Sequence, residues 1–337
     1  MYQSFHIKNF RGFRDLKLDS LERVNLIAGA NNVGKTALLE AIFLHIGANN
    51  PGLGPAINSL RGLQRFRASI EDVWSSIFND YDVNTIIEVS SKDDEEVTRS
   101  LKMSLVDSMK SQIEKPNDDG PSDTLTTPVP NYEVILDYQA GEDRAISRSF
   151  FVDDEIHNER GQLSKQPIGF FVTTHYRNLI QDAERFSDLA VRQEQERVIS
   201  TLRLVDPRLR QLSVQARGGM AMIHGDVGTG RLIPIPLMGE GMSRLLSLTL
   251  GIATFEHGTV LIDEVENGLH YSVMSKVWGA IAHAARASDV QIFATTHSWE
   301  CITAAHEAFT DSGTYDFRLH RLDRVEDDIR AVTYDQE

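Results

Sequence analysis

Gly29-Ala30-Asn31-Asn32-Val33-Gly34-Lys35-Thr36 decides the reading of this chain. The octapeptide fits G-x-x-x-x-G-K-[ST], a phosphate-binding loop. Its flanks fit too. Arg23-Val24-Asn25-Leu26-Ile27-Ala28 reads as a short buried strand, and Thr36-Ala37-Leu38-Leu39-Glu40-Ala41-Ile42 as the helix that follows. Glycines at both ends let the backbone curl with its N–H groups pointing inward, and the helix N-terminus adds a positive dipole end. Such a nest takes a polyphosphate. Lys35 is placed to reach the β- and γ-phosphates and Thr36 to set its hydroxyl on Mg²⁺. The competing reading, a chance glycine-rich turn, explains neither the strand nor the helix.

A second stretch completes the pattern. Thr259-Val260-Leu261-Ile262-Asp263-Glu264 is an apolar strand ending in two carboxylates, a Walker B pattern. Carboxylates at the C-terminal edge of a strand lie where α/β sheets bind ligands. Asp263 is expected beside the metal, and Glu264 is expected to polarise an attacking water. Further on, Gln291-Ile292-Phe293-Ala294-Thr295-Thr296-His297-Ser298 ends another strand in a histidine. His297 at that edge can hydrogen-bond a γ-phosphate oxygen.

The remaining chain sets the frame. Tyr2 to Phe13 alternates and turns at Gly12, Leu16-Lys17-Leu18 continues as a strand, and the phosphate loop follows the third strand. Residues 56–80 read as helical in two pieces, with Ile70, Val73, Trp74 and Ile77 or Phe78 on one face. Strands are expected over 82–90, 100–106, 132–138 and 145–152. Residues 112–130 carry four prolines among Asp, Ser, Thr and Gly and read as a mobile loop. The expected organisation is an N-terminal half of the nucleotide-binding unit over 1–81, an antiparallel β insertion over 82–166, and a C-terminal half over 167–337. The last part holds a helical region over 178–204, strands alternating with helices, and two final strands around Asp323. Such alternation indicates a parallel sheet with crossovers. Neither a sustained heptad pattern nor a fixed-period repeat is present.

The 337 residues are 41% hydrophobic and carry a net charge of −15, with pI near 5.2. That balance disfavours non-specific nucleic-acid binding by the whole surface, while leaving room for a local patch. Arg61, Arg65 and Arg67 form one basic cluster, and Arg192, Arg197, Arg203, Arg208 and Arg210 a looser one; solvated helix faces explain both at least as well as a binding patch does. The single cysteine, Cys301, excludes an intrachain disulfide framework. No apolar run approaches a membrane span and no basic-then-apolar leader is evident, so a cytoplasmic location is expected. No N-K-x-D motif appears, which disfavours GTP.

Taken together, the phosphate loop, Asp263-Glu264, Glu266-Asn267-Gly268-Leu269-His270 and Thr295-Thr296-His297-Ser298 resemble an ABC-type ATPase head. More narrowly the chain resembles bacterial AAA family ATPases close to the N-terminal domain of OLD (overcoming lysogenisation defect) proteins, which are related to Rad50/SMC heads. Asn9-Phe10-Arg11-Gly12-Phe13 matches the opening of that group, and Pro236 to Arg244 occupies the place of the ABC signature. The resemblance implies an α/β fold of P-loop NTPase type: a mixed sheet with helices plus an antiparallel β subdomain. It implies ATP and Mg²⁺ as cofactors, with Asn31, Asn32, Val33, Gly34, Lys35, Thr36 and Ala37 around the phosphates, and Arg11 approaching the head's own phosphates. Catalysis would fall to Glu264, His297 and Lys35. Thr36 and Asp263 would hold the metal, with Gln64 the candidate metal- and water-sensing glutamine and a surface role as its alternative.

In such families two heads sandwich two ATP molecules. Gly239 and Gly241 would then offer N–H groups to the partner's γ-phosphate. The sequence departs from L-S-G-G-Q, since Met238 stands where a serine is common and Glu240 interrupts the glycines; Ser243 is the candidate replacement hydroxyl. The expected function is Mg-dependent ATP hydrolysis driving assembly of a homodimer or higher homo-oligomer, as the ATPase subunit of a bacterial anti-phage defence module. An effector, such as a Toprim-like nuclease, would come from a neighbouring gene. The alternatives are a Rad50/SMC-type repair or chromosome ATPase, and an ATP-binding scaffold with little turnover. A transporter subunit fits the middle of the chain least.

Overall fold

The structure is a computed structural model that describes residues 1–61, 74–107, 132–152, 155–173 and 178–336. Gln64, Arg65, Arg67, Ile70, Val73 and the 112–130 segment lie outside the described residues.

Strands β1 (Tyr2–Phe10) and β2 (Phe13–Leu18) form a hairpin, followed by β3 (Val24–Gly29) and helices α1 (Lys35–Ile46) and α2 (Leu53–Leu60). Among the described residues five strands come next: β4 (Ile87–Asp93), β5 (Thr98–Asp107), β6 (Tyr132–Ala140), β7 (Asp143–Val152) and β8 (Glu155–Glu159). These do not stand apart from the N-terminal hairpin. β4 pairs antiparallel with β1, with Phe5 opposite Ser91 and Ile7 opposite Val89, so one seven-stranded sheet runs β2-β1-β4-β5-β6-β7-β8.

The second half opens with β9 (Gly169–Val172), α3 (Leu179–Val191) and α4 (Gln195–Val205). The expected helical region over 178–204 is two helices, separated by a turn in which Gln193 takes a left-handed φ of 62°. A small sheet of β10 (Gln211–Arg217), β11 (Met220–Asp226) and β12 (Ile233–Pro234) leads to α5 (Glu240–Thr254). Then come β13 (Thr259–Ile262), α6 (Met274–Ala287), β14 (Gln291–Thr295), α7 (Trp299–Asp311), β15 (Phe317–Val325) and β16 (Asp328–Tyr334). The last hairpin turns at Glu326, whose φ is 58°, rather than at Asp323, which pairs with Arg330 inside the ladder.

A six-stranded sheet, β16-β15-β3-β14-β13-β9, carries the site. β15, β3, β14, β13 and β9 run parallel, and β16 joins antiparallel. Its central strands read as largely apolar runs because both faces are covered, with Asn25 a buried polar residue in β3. The two-residue period still sorts their side chains. Val24, Leu26, Val260, Ile262, Ile292 and Ala294 join the core built with α3 to α7. Ile27, Leu261 and Phe293 join the core built with α1 and the seven-stranded sheet. The phosphate-loop strand is thereby clamped between two cores. No helix among the described residues is long and apolar enough to cross a membrane.

Two buried histidines couple this packing to pH. His45 on α1 is fully buried, with Nε2 2.8 Å from Ser91 Oγ and its ring edge-on to Phe5. Burial pushes its pKa down to about 3, and burial does the same to His320, helped by Arg318. Both are neutral when folded, whereas an unfolded histidine takes up its proton near pH 6.5. Stability from each is therefore complete above about pH 6.5 and falls as pH drops toward 3, by about 2 kcal/mol per histidine at pH 5. We expect His45→Gln to flatten the fall of Tm between pH 6.5 and 4 relative to wild type; an unchanged slope in thermal unfolding would contradict this.

Candidate nucleotide site

The phosphate loop is held open by its backbone. Gly29 (φ 145°), Asn32 (φ 60°) and Gly34 (φ 100°) occupy positive φ. A Cβ on Gly29 would lie 2.6 Å from the Leu322 carbonyl oxygen, and one on Gly34 2.9 Å from the Phe13 ring. Both positions therefore exclude a side chain on two grounds. Gly34 caps α1 without any side-chain hydrogen bond, which leaves the first N–H groups of the helix for an anion. Val33 turns its side chain into the core, so it has only its backbone to offer.

Lys35 folds back over the loop, donating from Nζ to the carbonyls of Gly29 (2.9 Å) and Ala30 (3.0 Å). Burial lowers its pKa, opposed by the carboxylates of Glu264, Glu266 and Asp263. Thr36 Oγ1 lies 3.1 and 3.2 Å from the two carboxylate oxygens of Asp263. The sequence places these residues 227 positions apart; parallel pairing of β13 with β14, and β14 with β3, brings them together. A hydroxyl beside a carboxylate is an all-oxygen donor set. It fits a hard cation such as Mg²⁺, which takes one or two protein oxygens and fills its shell with water and phosphate.

Thr295 ties the second half of the site together. Its Oγ1 donates to Asp263 Oδ1 (2.7 Å) and accepts the Glu264 N–H (2.8 Å). This fixes both Walker B residues, with Glu264 at a left-handed φ of 48°. Arg244, buried on α5, donates to the carbonyls of Thr173 (2.9 Å) and Asp263 (2.8 Å). It links α5 to the ends of β9 and β13. His297 is half-exposed; its N–H donates to Glu266 Oε1 (2.9 Å), and its Nδ1 lies 3.1 Å from the same oxygen.

Arg11 lies at the cleft, but its guanidinium is already engaged. Its Nε is 2.7 Å from Glu40 Oε2, and Nη2 donates to Asn58 Oδ1 (3.0 Å). Arg61 holds the same buried carboxylate in two-point fashion, Nε to Oε1 at 2.6 Å and Nη2 to Oε2 at 2.9 Å. Arg61 is thus a cleft residue rather than part of a solvated surface cluster. Glu40 lies one helical turn after Thr36 and gathers both arginines.

These residues line one cleft of about 810 Å³: Arg11, Asn31, Asn32, Gly34, Lys35, Thr36 and Ala37 from the first half, with Arg61, Asp263, Glu264, Thr295 and His297. Gly239, Gly241 and Ser243 do not line it. Gly239 (φ 113°) caps α5 without a side-chain bond. The Ser243 hydroxyl, expected beside these glycines, instead turns inward; it is buried and borders a cavity of about 20 Å³ with Asp182 and Ser247. That is room for one water. Gln64 lies outside the described residues.

The pattern missed Glu40, Arg61, Thr295, Glu266 and Arg244 as members of the site. Glu40 carried a signal: a lone acid inside the apolar run Ala37 to Leu44. Glu266, Thr295 and Arg244 lay inside the quoted motifs without being singled out, and Arg61 announces itself only through its contact with Glu40.

An open phosphate loop on the central strand, with paired carboxylates on a nearby strand end, defines a P-loop ATPase head of ABC type. The chain belongs to the family described as "AAA domain, putative AbiEii toxin, Type IV TA system", which matches residues 24–300. It is 26% identical over 330 residues to an ATP/GTP phosphatase of Helicobacter pylori, covering 90% of this chain and 86% of that protein. A 67-residue stretch is 34% identical to the DNA replication and repair protein RecF of Nitrosococcus oceani, covering 20% of this chain and 17% of that one. Among solved structures, an SMC head bound to the C-terminal winged-helix domain of ScpA superimposes with a TM-score of 0.53 at 13% identity, covering 100% of this chain and 98% of that one. That likeness concerns the fold.

Proposed function

We propose that this protein binds Mg·ATP in the cleft and hydrolyses it, and that the bound state closes two copies head to tail. The observation that carries the reading is the uncapped start of α1 beside the Thr36–Asp263 contact, with Glu264 on the same cleft. The N–H groups of the loop and Lys35 would bind and orient the phosphates. Thr36 and Asp263 would hold the metal, which supplies charge neutralisation when bound. Glu264 would take the proton of the attacking water, and His297, oriented by Glu266, would donate to the γ-phosphate. Positioning and charge stabilisation supply most of the catalysis in such a reaction. Gly239 and Gly241 lie outside the chain's own cleft, which supports their use by a second copy.

In this reading the protein is the ATPase subunit of a bacterial defence module, akin to OLD proteins, and acts with a separately encoded effector. The family description, with its toxin–antitoxin wording, is in keeping with such a role. The RecF match favours a second reading, a DNA-repair ATPase; salt-dependent DNA binding by the isolated protein would select it. The nucleotide reading is tested by calorimetric titration with Mg·ATP. Wild type is expected to bind, and Lys35→Ala to lose binding by at least about a hundredfold, as removal of a charged group from a phosphate cradle does. Equal affinity in the two proteins would overturn the assignment.

A further inference from the structure

The small sheet that leads to α5 has an open edge. β10 stands at the end of that sheet and pairs with β11 in an unbroken register from Gln211 to Arg217. Among the described residues no other element bonds to its backbone. One row of its N–H and C=O groups therefore faces outward. Proteins blunt such edges with charges, prolines or bulges. Between Gln211 and Ala216 there is none of these.

A groove of about 540 Å³ runs along this edge. Five successive residues line it: Arg210, Gln211, Leu212, Ser213 and Val214. A cavity on one face of a strand meets every second side chain, so successive residues place the groove at the edge. The opposite wall is Phe186 and Ala190 of α3 with Gln195 and Ile199 of α4. Phe186, Ile199 and Leu212 are buried and give it an apolar floor. Two polar groups are left over. Gln195 Oε1 is buried and accepts no hydrogen bond. Arg210 is exposed and forms no ion pair among the described residues. Its neighbours are paired: Arg197 with Glu256, Arg203 with Glu196 and Arg208 with Asp206.

We propose that this groove takes an extended segment of a partner protein, added to β10 as a fourth strand with an acidic side chain on Arg210. A strand satisfies a row of outward backbone donors and acceptors; a helix, whose backbone is bonded internally, does not. Alternate apolar side chains of the segment rest on the Phe186–Ile199 floor, its carboxylate meets the unpaired guanidinium, and a donor reaches Gln195 Oε1. The inference stands apart from the nucleotide reading, since the groove and the nucleotide cleft share no lining residue.

The experiment selects a display library of random heptapeptides on the full chain and synthesises the tightest binder as the probe. That peptide is expected to alternate β-branched or aromatic residues with polar ones and to carry an Asp or Glu. Arg210→Glu is expected to weaken it by at least about tenfold, and a Lys in place of the peptide's acid to recover most of the loss. Ala190→Trp, which fills the groove, is expected to weaken it as much. Only alternate amides of an added strand face its neighbour, so N-methylation of one alternate set should abolish binding and of the other change it less than about twofold. Should Ala190→Trp not fold, Arg210→Glu and the methylated peptides decide alone. No enriched peptide, a binder indifferent to Arg210→Glu, or equal losses from both methylated sets overturns the proposal. A nucleotide-free dimer that Ala190→Trp dissociates overturns it too, and gives the edge to a second copy of the chain.

Discussion

Glu264→Gln is expected to keep Mg·ATP affinity, to lose turnover by about 10²–10⁴-fold, and to run at twice the monomer mass when Mg·ATP is saturating. The rate loss follows from removing the group placed to accept the water's proton. The substitution is nearly isosteric, and the anchoring contact at this position is made by the backbone: the Glu264 N–H donates to Thr295 Oγ1. The contacts of Asp263 and Thr36 and the hydrogen bonds of Lys35 to the Gly29 and Ala30 carbonyls do not involve the Glu264 side chain. A bound nucleotide that is not hydrolysed keeps whatever closed state it stabilises populated, so the variant accumulates the dimer that wild type passes through. Calorimetric titration checks the affinity, phosphate release the turnover, and light scattering at saturating Mg·ATP the mass. A monomeric variant that binds ATP and fails to turn over would remove the composite-site reading and leave a single-chain site.

Glu40→Ala is expected to be the most destabilising single change in the cleft, by about 3 kcal/mol, or roughly 5–10 °C in Tm. Glu40 is 1% exposed and is the shared carboxylate of Arg11, itself 13% exposed, and Arg61. Its removal strands a guanidinium away from water. Arg61 is more exposed and can relax outward, which places the figure at the lower end for a broken buried pair. The double variant Glu40→Ala/Arg11→Ala should recover part of the loss, since it removes the stranded charge along with its partner. Thermal unfolding of the three proteins decides it. Additive losses would show that Arg11 and Glu40 act independently.

The sequence was legible where function is carried by short contiguous motifs. The phosphate loop needs its glycines at fixed offsets, and those offsets are visible in Gly29 and Gly34. Asp263-Glu264 and His297 end apolar runs of strand length, so both their secondary structure and their edge position could be read. The ABC-type head follows from their order. Contacts between distant segments could not be read in this way. Arg11, Glu40 and Arg61 meet because the β1–β2 turn, α1 and the end of α2 converge, and no local pattern encodes that convergence. For the same reason Arg61 read as one of a surface cluster. The pairing of β1 with β4 joined a segment that composition set apart to the N-terminal hairpin. Ser243 read as the replacement hydroxyl by its place near Gly239 and Gly241, but the helical turn of α5 buries its oxygen. The final turn fell at Glu326 rather than Asp323 because Arg321 to Val325 continue the ladder opposite Asp328 to Val332.

The most direct test of the central claim is turnover per chain as a function of protein concentration, measured with mass on the same samples. A site completed by a second copy predicts turnover that rises with the dimer fraction and levels off when dimerisation is complete. Turnover per chain that is constant from fully monomeric to fully dimeric protein would contradict it and place the whole reaction within one chain's cleft.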